Sequence, residues 1–201
     1  MCLLVLQKDR SRNMNYEEFK KAWTINSDGF WLYIVNWDKT KIEKTKSFAD
    51  AWAIYSSAIK KNFDLLIYHF RMWTHGPNNE KLIHPFYMWD GVHLFHNGIL
   101  PIEPTDETES DTSTLALQYS MHNVPSSFIL WEYNLHTLKE LCGGYNKLIL
   151  TKWSEFKIVN EKAWHWEEWT WFSNYNYYAP CSANSKWKPS CSKWEQIYEI
   201  E

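Results

Sequence analysis

The sequence predicts an α+β fold in which helices cover β-sheets. Apolar stretches typical of strands occupy much of the first half of the chain, amphipathic patterns typical of helices follow, and strand patterns return near the end. Strands and helices grouped in this way favour packed layers. The 201 residues suffice for the core of one domain, so we expect a single domain over residues 1–201 with an aromatic-rich C-terminal segment at 161–201.

The first half combines apolar strands with two short helices. Leu3 to Leu6 is apolar at every position, as expected for a strand that is covered on both faces. Ser47 is suited to cap a helix, because Asp50 follows three residues later and apolar residues then recur at helical spacing. The predicted elements, in order, are a strand at 3–6, a helix at 15–23, a strand at 30–35, a polar hairpin or loop at 38–46, a helix at 48–59 and a strand at 63–70.

The second half begins with a predicted long loop at residues 71–91, which contains Gly76, Pro77 and Pro85. A short strand after it ends in the tripeptide HNG. The remaining predicted elements are that strand at 92–95, a helix from 112, a helix at 126–142 with an apolar stripe of Trp131, Leu135, Leu138 and Cys142, and strands at 147–151, 155–159 and 169–173.

Charge and composition argue against nucleic-acid and membrane partners. The net charge is -3, and no uncharged run approaches the roughly 20 apolar residues of a membrane span. The N-terminus lacks the basic and apolar regions of a secretory signal. We therefore expect a cytoplasmic protein whose four cysteines are reduced.

Three short stretches carry polar residues suited to chemistry, namely HFRMWTHG, FHNG and ESDTSTLA. Read singly, HNG is a good turn and the Ser-Asp-Thr of the third stretch is a routine helix start. Arg71 is more informative, because it is one of three arginines in the chain and directly follows an apolar strand. Its guanidinium is suited to grip a carboxylate with two parallel hydrogen bonds, and a structural ion pair is the alternative.

The order of these motifs resembles the class II glutamine amidotransferase family, the Ntn-hydrolase type of the glutaminase domains of glucosamine-6-phosphate synthase and amidophosphoribosyltransferase. That family has an N-terminal cysteine after a removable Met, a loop close to RWATHG, a His-Pro pair and an HNG strand end. This chain has Cys2, the loop RMWTHG at 71–76, a His-Pro pair at 84–85 and HNG at 96–98. A later WTWFSN stretch is compatible with a late core strand of the family.

The resemblance implies an Ntn-hydrolase-like four-layer α/β/β/α sandwich with two antiparallel sheets, and a covalent mechanism. After loss of Met1, Cys2 would supply both the thiol and an α-amine with a pKa of about 7.7–8.0 that takes its proton. Thiolate attack on the glutamine side-chain amide would release ammonia, and hydrolysis of the thioester would give glutamate. No cofactor and no metal are expected.

The resemblance also assigns roles to individual residues. Cys2 would be the nucleophile, and Asn97 with the Gly98 backbone amide would stabilise the oxyanion. Arg71 would bind the glutamine α-carboxylate, and Asp111 the α-ammonium. The residues expected to line the pocket are Trp73, Thr74 and His75, within a loop at 73–80 that would close over glutamine.

Two departures from the family leave alternatives open. Leu3 stands where the family has glycine, and Met72 stands where it has tryptophan. The alternatives are an Ntn amidase on another γ-glutamyl or acyl amide, with Leu3 reshaping the pocket, and a non-catalytic interaction module, which a retained Met1 would favour. The chain has about the size of a glutaminase domain alone, so ammonia would pass to a separate synthetase or acceptor protein, or the protein is a free-standing glutaminase. In this compactness the chain resembles family members carried by bacteriophages.

Other features have plainer interpretations. Five histidines crowd residues 69–96, but His93 and His96 should point to opposite faces of a strand, and no Cys-x2-Cys pair supports zinc. Cys142 is expected to be an inert core thiol. The Trp- and Tyr-rich tail is expected to pack a sheet, with capping of the pocket or docking of a partner as alternatives.

Overall fold

Ten strands form the framework of the protein in a computed structural model that describes residues 2–8, 12–72, 82 and 84–178. The strands are β1 (Leu3–Lys8), β2 (Phe30–Asn36), β3 (Lys39–Thr45), β4 (Leu65–Phe70), β5 (Phe86–Trp89), β6 (Val92–Asn97), β7 (Lys147–Lys152), β8 (Glu155–Val159), β9 (His165–Glu167) and β10 (Thr170–Phe172). They build two antiparallel sheets. The first sheet has the order β3-β2-β4-β1-β10-β9, and the second has the order β5-β6-β7-β8.

Five α-helices in the described ranges accompany the sheets, together with a short 3-10 helix at Glu161–Ala163, and side-chain caps define where α1, α2 and α3 begin. The helices are α1 (Tyr16–Ile25), α2 (Phe48–Ala58), α3 (Asp111–Met121), α4 (Ser126–Ile129) and α5 (Glu132–Cys142). Asn15 caps α1 in a reciprocal capping box with Glu18. The predicted cap of α2 is confirmed, because the Ser47 side chain accepts a hydrogen bond from the Asp50 backbone N–H.

Three apolar cores hold these elements together. The inter-sheet core joins the two sheets and contains Leu4, Ile67, Phe95 and Ile149. The outer core of the first sheet packs β1, β2 and β4 against α1 and α2, whereas the outer core of the second sheet packs β6 and β7 against α3 and α5. Because strand residues alternate between faces, each central strand contributes to one outer core and to the inter-sheet core.

The predicted α+β class is confirmed, and several boundaries differ from prediction. The predicted helix at 126–142 is wrong, because the backbone at Trp131 is extended and separates α4 from α5. Trp131 is 55% exposed, so the predicted apolar stripe does not include it. The polar segment at 38–46 forms the edge strand β3, which pairs with β2 as a hairpin. β5 lies within the predicted loop at 71–91, and β9 has no counterpart among the predicted strands.

None of the helices in the described ranges combines the length and apolar character required to cross a lipid bilayer.

Candidate active site

The candidate catalytic residues lie where central strands of both sheets end at one edge of the inter-sheet core. Cys2 precedes β1, Arg71 follows β4, and Asn97 is the last residue of β6. Period-two alternation places Cys2 on the face of Leu4, and Asn97 on the face of Phe95, both of which lie in the inter-sheet core. The fold therefore brings together residues that are up to 95 positions apart in the chain.

The Cys2 thiol is held against the backbone that follows β4. Its Sγ accepts a hydrogen bond from the Met72 N–H at 3.2 Å and lies 3.4 Å from the Met72 carbonyl oxygen. Burial raises the pKa of the Cys2 thiol, and the Met72 N–H and the Arg71 charge oppose that increase only in part. The thiol is thus protonated near neutral pH, so a base must remove its proton before it can attack.

The Asn97 side chain, at the end of β6 in the second sheet, forms hydrogen bonds with residues that flank strands of the first sheet. Its Nδ2 donates to the Cys2 carbonyl oxygen at 2.9 Å and to Ser173 Oγ at 2.8 Å. Ser173 Oγ also accepts from the Leu4 N–H at 2.8 Å. Asn174 Nδ2 donates to the same Cys2 carbonyl at 2.5 Å. The main chain at Cys2 is thereby fixed by two amide side chains, one at the end of β6 and one after β10.

Sequence reasoning assigned no role to Ser173, which contacts Asn97, or to Asn174, which contacts Cys2. The available signal was a polar pair directly after the apolar residues of β10, at an edge where other strands also end in polar residues. Asn97 Oδ1 is buried and has no hydrogen-bond partner among the described residues.

Gly98 occupies a backbone conformation and a space that exclude a side chain. Its φ is +147°, and a Cβ there would lie 1.9 Å from Asn146 Oδ1. Asn146 cannot easily withdraw, because Oδ1 is 3.1 Å from His96 Nε2 and Nδ2 donates to the Cys142 carbonyl oxygen at 2.8 Å. Glycine is therefore required at the residue whose N–H is the predicted oxyanion donor.

We expect Gly98→Ala to lower glutamine turnover by about 10²–10³-fold, because the displaced backbone amide would no longer point at the oxyanion. A steady-state assay of glutamate release measures this effect. Gly144→Ala is the matched control, since a Cβ there meets no atom within 4 Å. If Gly98→Ala hydrolyses glutamine at the wild-type rate, Gly98 is not part of the candidate site.

Arg71 is a buried cation beside the thiol. Only 8% of its surface is exposed, and its backbone is fixed by hydrogen bonds with Gly29 O at 2.8 Å and with the Asp28 N–H at 3.0 Å. Burial lowers the pKa of Arg71, whereas the charges of Cys2 and Asp28 favour its protonated form. A guanidinium on this strand end is suited to bind an anionic group close to Sγ.

Asp111 is connected to the candidate site only indirectly. Its Oδ2 accepts from the Leu100 N–H at 2.6 Å, and its Oδ1 accepts from the Thr112 N–H at 2.6 Å. Thr112 Oγ1 lies 2.7 Å from His96 Nδ1. In the described part of the chain, no hydrogen bond or ion pair joins Asp111 to Cys2, Asn97 or Arg71. The carboxylate therefore ties the segment after Gly98 to the start of α3, and its role towards substrate stays a prediction.

The predicted pocket residues Trp73, Thr74 and His75, together with the predicted closing loop at 73–80, lie outside the described residues.

Two buried, neutral histidines, His69 and His84, lie near Arg71. Trp31 Nε1 donates to His69 Nδ1 at 2.9 Å, so the His69 proton is on Nε2. Burial and the Arg71 charge lower the pKa of His69 to about 3. The His84 ring lies 5.2 Å from that of His69, and burial likewise lowers its pKa. These rings add no positive charge near Arg71, and the residues that the structure describes contain no cluster of three potential metal ligands.

Comparisons with known proteins identify no family for this chain. No protein-family model matches it, and none of the curated proteins matches it. Among solved structures, it is similar to a glutamine aminotransferase class-II domain protein from Silicibacter pomeroyi, with 12% sequence identity and a TM-score of 0.35. The similarity covers 75% of this chain and 73% of that chain. The function is therefore inferred from the residues of the site.

Proposed function

We propose that this protein is a class II glutamine amidotransferase-like enzyme that hydrolyses the glutamine side-chain amide to glutamate and ammonia through a Cys2 thioester. The arrangement of two sheets between two groups of helices supports a four-layer Ntn-hydrolase sandwich as its fold. The chain is proposed to form one domain, and the proposed reaction uses no metal or cofactor. Because its nucleophile is a thiol, a reducing compartment such as the cytoplasm suits it.

One observation carries the proposal, namely the position of the Asn97 amide over Cys2 with Arg71 beside the thiol. The Asn97 Nδ2 atom lies 2.9 Å from the Cys2 carbonyl oxygen, and Arg71 is close enough to influence the Cys2 pKa. A nucleophile, an amide donor and a carboxylate-binding cation are the groups that hydrolysis of glutamine requires. These are residues that the sequence motifs singled out independently of any fold.

The chemistry follows from these positions. Arg71 binds the α-carboxylate of glutamine, which directs the side-chain amide towards Sγ. The thiol proton passes to a base, and Sγ forms a bond to the amide carbon. The Gly98 N–H and the Asn97 amide, which turns from its contact with Ser173, donate to the resulting oxyanion. The C–N bond then breaks, and the nitrogen leaves as ammonia with the proton returned by the base. Water attacks the thioester, the S–C bond breaks, and glutamate and the free thiol are released.

The base is the α-amine of Cys2 once Met1 has been removed. Burial keeps the thiol protonated, and among ordinary groups an α-amine has a pKa close to neutrality. The amine belongs to the same residue as the thiol, so a bridging water suffices for proton transfer. A protein that keeps Met1 would lack this base and should be inactive.

The position of Leu3 supports glutamine over a different amide substrate. Leu3 is fully buried in the outer core of the first sheet, on the face of β1 opposite to Cys2. Its side chain therefore packs against α1 and α2 and does not narrow the site. Glutamine remains the substrate that the residues around Cys2 support best.

Labelling with the glutamine analogue 6-diazo-5-oxo-norleucine tests the proposal. We expect one adduct per chain, and peptide mapping should place it on Cys2 in protein whose intact mass shows loss of Met1. Excess glutamine should protect the thiol. The Cys142→Ala variant controls for reaction at the other described free thiol, which is buried. A Met1-bearing native protein that neither reacts nor hydrolyses glutamine would favour the non-catalytic interaction module.

A further inference from the structure

The end of the two sheets opposite to Cys2 is formed by hairpin turns. Cys2 precedes β1, whose last residue is Lys8, and Asn97 ends β6, whose first residue is Val92. Because neighbouring strands are antiparallel, the turns β2–β3, β5–β6, β7–β8 and β9–β10 all lie at the end of Lys8 and Val92. β1 spans 6 residues. These turns therefore lie about 20 Å from Cys2.

Each of these four turns has an exposed tryptophan in it or directly before it. The turns are two residues long, at 37–38, 90–91, 153–154 and 168–169, since the strand residues that flank each of them are paired. The exposed fraction is 84% for Trp37, 70% for Trp169, 45% for Trp153 and, just before the turn at 90–91, 38% for Trp89. We call these four turns, together with Trp89, the distal face.

Three of these tryptophans have a backbone conformation that disfavours a bulky side chain. Their φ angles are +57° at Trp37, +55° at Trp153 and +67° at Trp169. In hairpin turns this left-handed region is normally occupied by glycine, asparagine or aspartate, and Asp90 and Gly91 in the remaining turn follow that preference. The local backbone would therefore suit asparagine better than tryptophan. Folding does not explain why exposed tryptophan stands at three of these positions.

The four turns are spread over an area that is too wide for one small ligand. Neighbouring strands lie about 4.8 Å apart, so the strand order of the first sheet places the turns of Trp37 and Trp169 about 19 Å from each other. In the second sheet the turns at 90–91 and 153–154 are about 10 Å apart, and packed sheets are separated by about 10 Å. Only an extended, fairly flat partner can contact all four turns at once.

Every tryptophan of the distal face has an acidic residue next to it or two positions away. The pairs are Trp37 with Asp38, Trp89 with Asp90, Trp153 with Glu155 and Trp169 with Glu168. Lys39 and Lys152 flank two of the turns, and Lys152 forms a salt bridge with Asp90. An indole ring with a nearby carboxylate is suited to a quaternary ammonium group, and a lysine is suited to phosphate. These are the two charged groups of a phosphocholine head group.

We propose that the distal face binds a zwitterionic, phosphatidylcholine-type membrane surface, with its four indoles at the depth of the head groups. Tryptophan is favoured at membrane–water interfaces because the ring is apolar and its N–H is polar. A bilayer surface is flat over the distance between the turns. The net charge of -3 argues against electrostatic attraction to a membrane, and insertion of indoles does not require such attraction. The inference is independent of the proposed function, because Cys2 lies at the opposite end and would face away from the membrane.

Flotation of the protein with phosphatidylcholine vesicles tests the inference. We expect the wild-type protein to float with the vesicles equally in low and high salt, because acidic side chains at least balance the lysines of the distal face. The double variant Trp37→Asn/Trp169→Asn removes the two most exposed indoles. It should bind vesicles about tenfold more weakly for each substitution, since each indole withdraws a large apolar area from water. Its melting temperature should equal or exceed that of wild type, because asparagine tolerates a left-handed φ.

Tyr145→Asn is the matched control. Tyr145 is 85% exposed, and it lies two residues before Lys147, which pairs with Asn97 at the end of the candidate site. This variant should float as the wild-type protein does. Cys2→Ala should also float normally, whether or not the protein hydrolyses glutamine.

Several outcomes would overturn the inference. They are a wild-type protein that does not float, flotation only with anionic phosphatidylglycerol vesicles, and full flotation of the double variant. If the double variant does not fold, the tryptophan fluorescence of the wild-type protein should still be quenched by vesicles of brominated phosphatidylcholine, and absence of quenching overturns the inference. A protein that ignores vesicles but forms dimers that the double variant loses would use the distal face to bind a second copy instead.

Discussion

Cys2→Ala is expected to abolish glutamine hydrolysis, with a loss of about 10⁴–10⁶-fold, because no other described group can form the thioester. The only other described free thiol, Cys142, lies in the outer core of the second sheet. Burial raises the pKa of that thiol to about 12, which agrees with the inert core role predicted for it. Glutamate release and analogue labelling should disappear together in the variant.

The effect of Cys2→Ala on stability should be small by comparison. The side chain is half-buried and its polar contacts are those with the Met72 backbone, whereas the Cys2 carbonyl contacts do not depend on the side chain. Cys142→Ala should show the opposite pattern, with lower stability and wild-type kcat in the folded protein. Glutamine turnover that survives in Cys2→Ala would refute the covalent mechanism.

Asn97→Ala is expected to lower kcat by about 10²–10³-fold with a much smaller change in KM, because its amide acts on the oxyanion. The substitution also removes the donor shared by the Cys2 carbonyl and Ser173 Oγ. Both acceptors keep a second donor, Asn174 Nδ2 for the Cys2 carbonyl and the Leu4 N–H for Ser173 Oγ. The variant therefore loses two hydrogen bonds worth about 0.5–1.5 kcal/mol each, so unfolding in urea should begin at a lower concentration.

Asn134→Ala separates the two effects of Asn97→Ala. Asn134 is also buried, its Nδ2 donates to the Ile129 carbonyl oxygen at 2.8 Å, and its Oδ1 accepts from the Tyr119 hydroxyl at 2.7 Å. Its loss should lower stability to a similar extent without lowering kcat of the folded protein. If both variants lose kcat equally, the role of Asn97 is structural and the proposed oxyanion site is wrong.

The parts of the fold that could be predicted are those encoded by local chemistry. Ser47 and Asp50 act within one turn of helix, so the start of α2 was readable from four residues. The apolar runs of β1 and β4 reflect burial on both faces, which no other local structure explains as simply. The single helix predicted at 126–142 was wrong because Trp131 lies four residues before Leu135, a spacing that fits an apolar helix stripe. In the structure the Trp131 side chain is mostly exposed.

The candidate site shows the limit of the same reasoning. The motifs identified Cys2, Arg71 and Asn97, and these residues are adjacent in the fold, although their roles stay predictions. The contacts of Ser173 with Leu4 and of Asn174 with Cys2 join positions about 170 residues apart, so no local pattern reports them. β5 was missed because it has only four residues with mixed exposure, and it gains its order from pairing with β6.

The amide of Asn97 reaches Cys2 from the opposite sheet, and this has a consequence for how activity is acquired. Neither sheet alone contains the proposed site, since Cys2 adjoins the first sheet and Asn97 ends a strand of the second. When denatured protein is diluted into buffer, the proposed glutamine hydrolysis should therefore return only after the two sheets have packed around their shared core. The rate at which glutamine turnover returns should therefore report the rate at which the two sheets pack together.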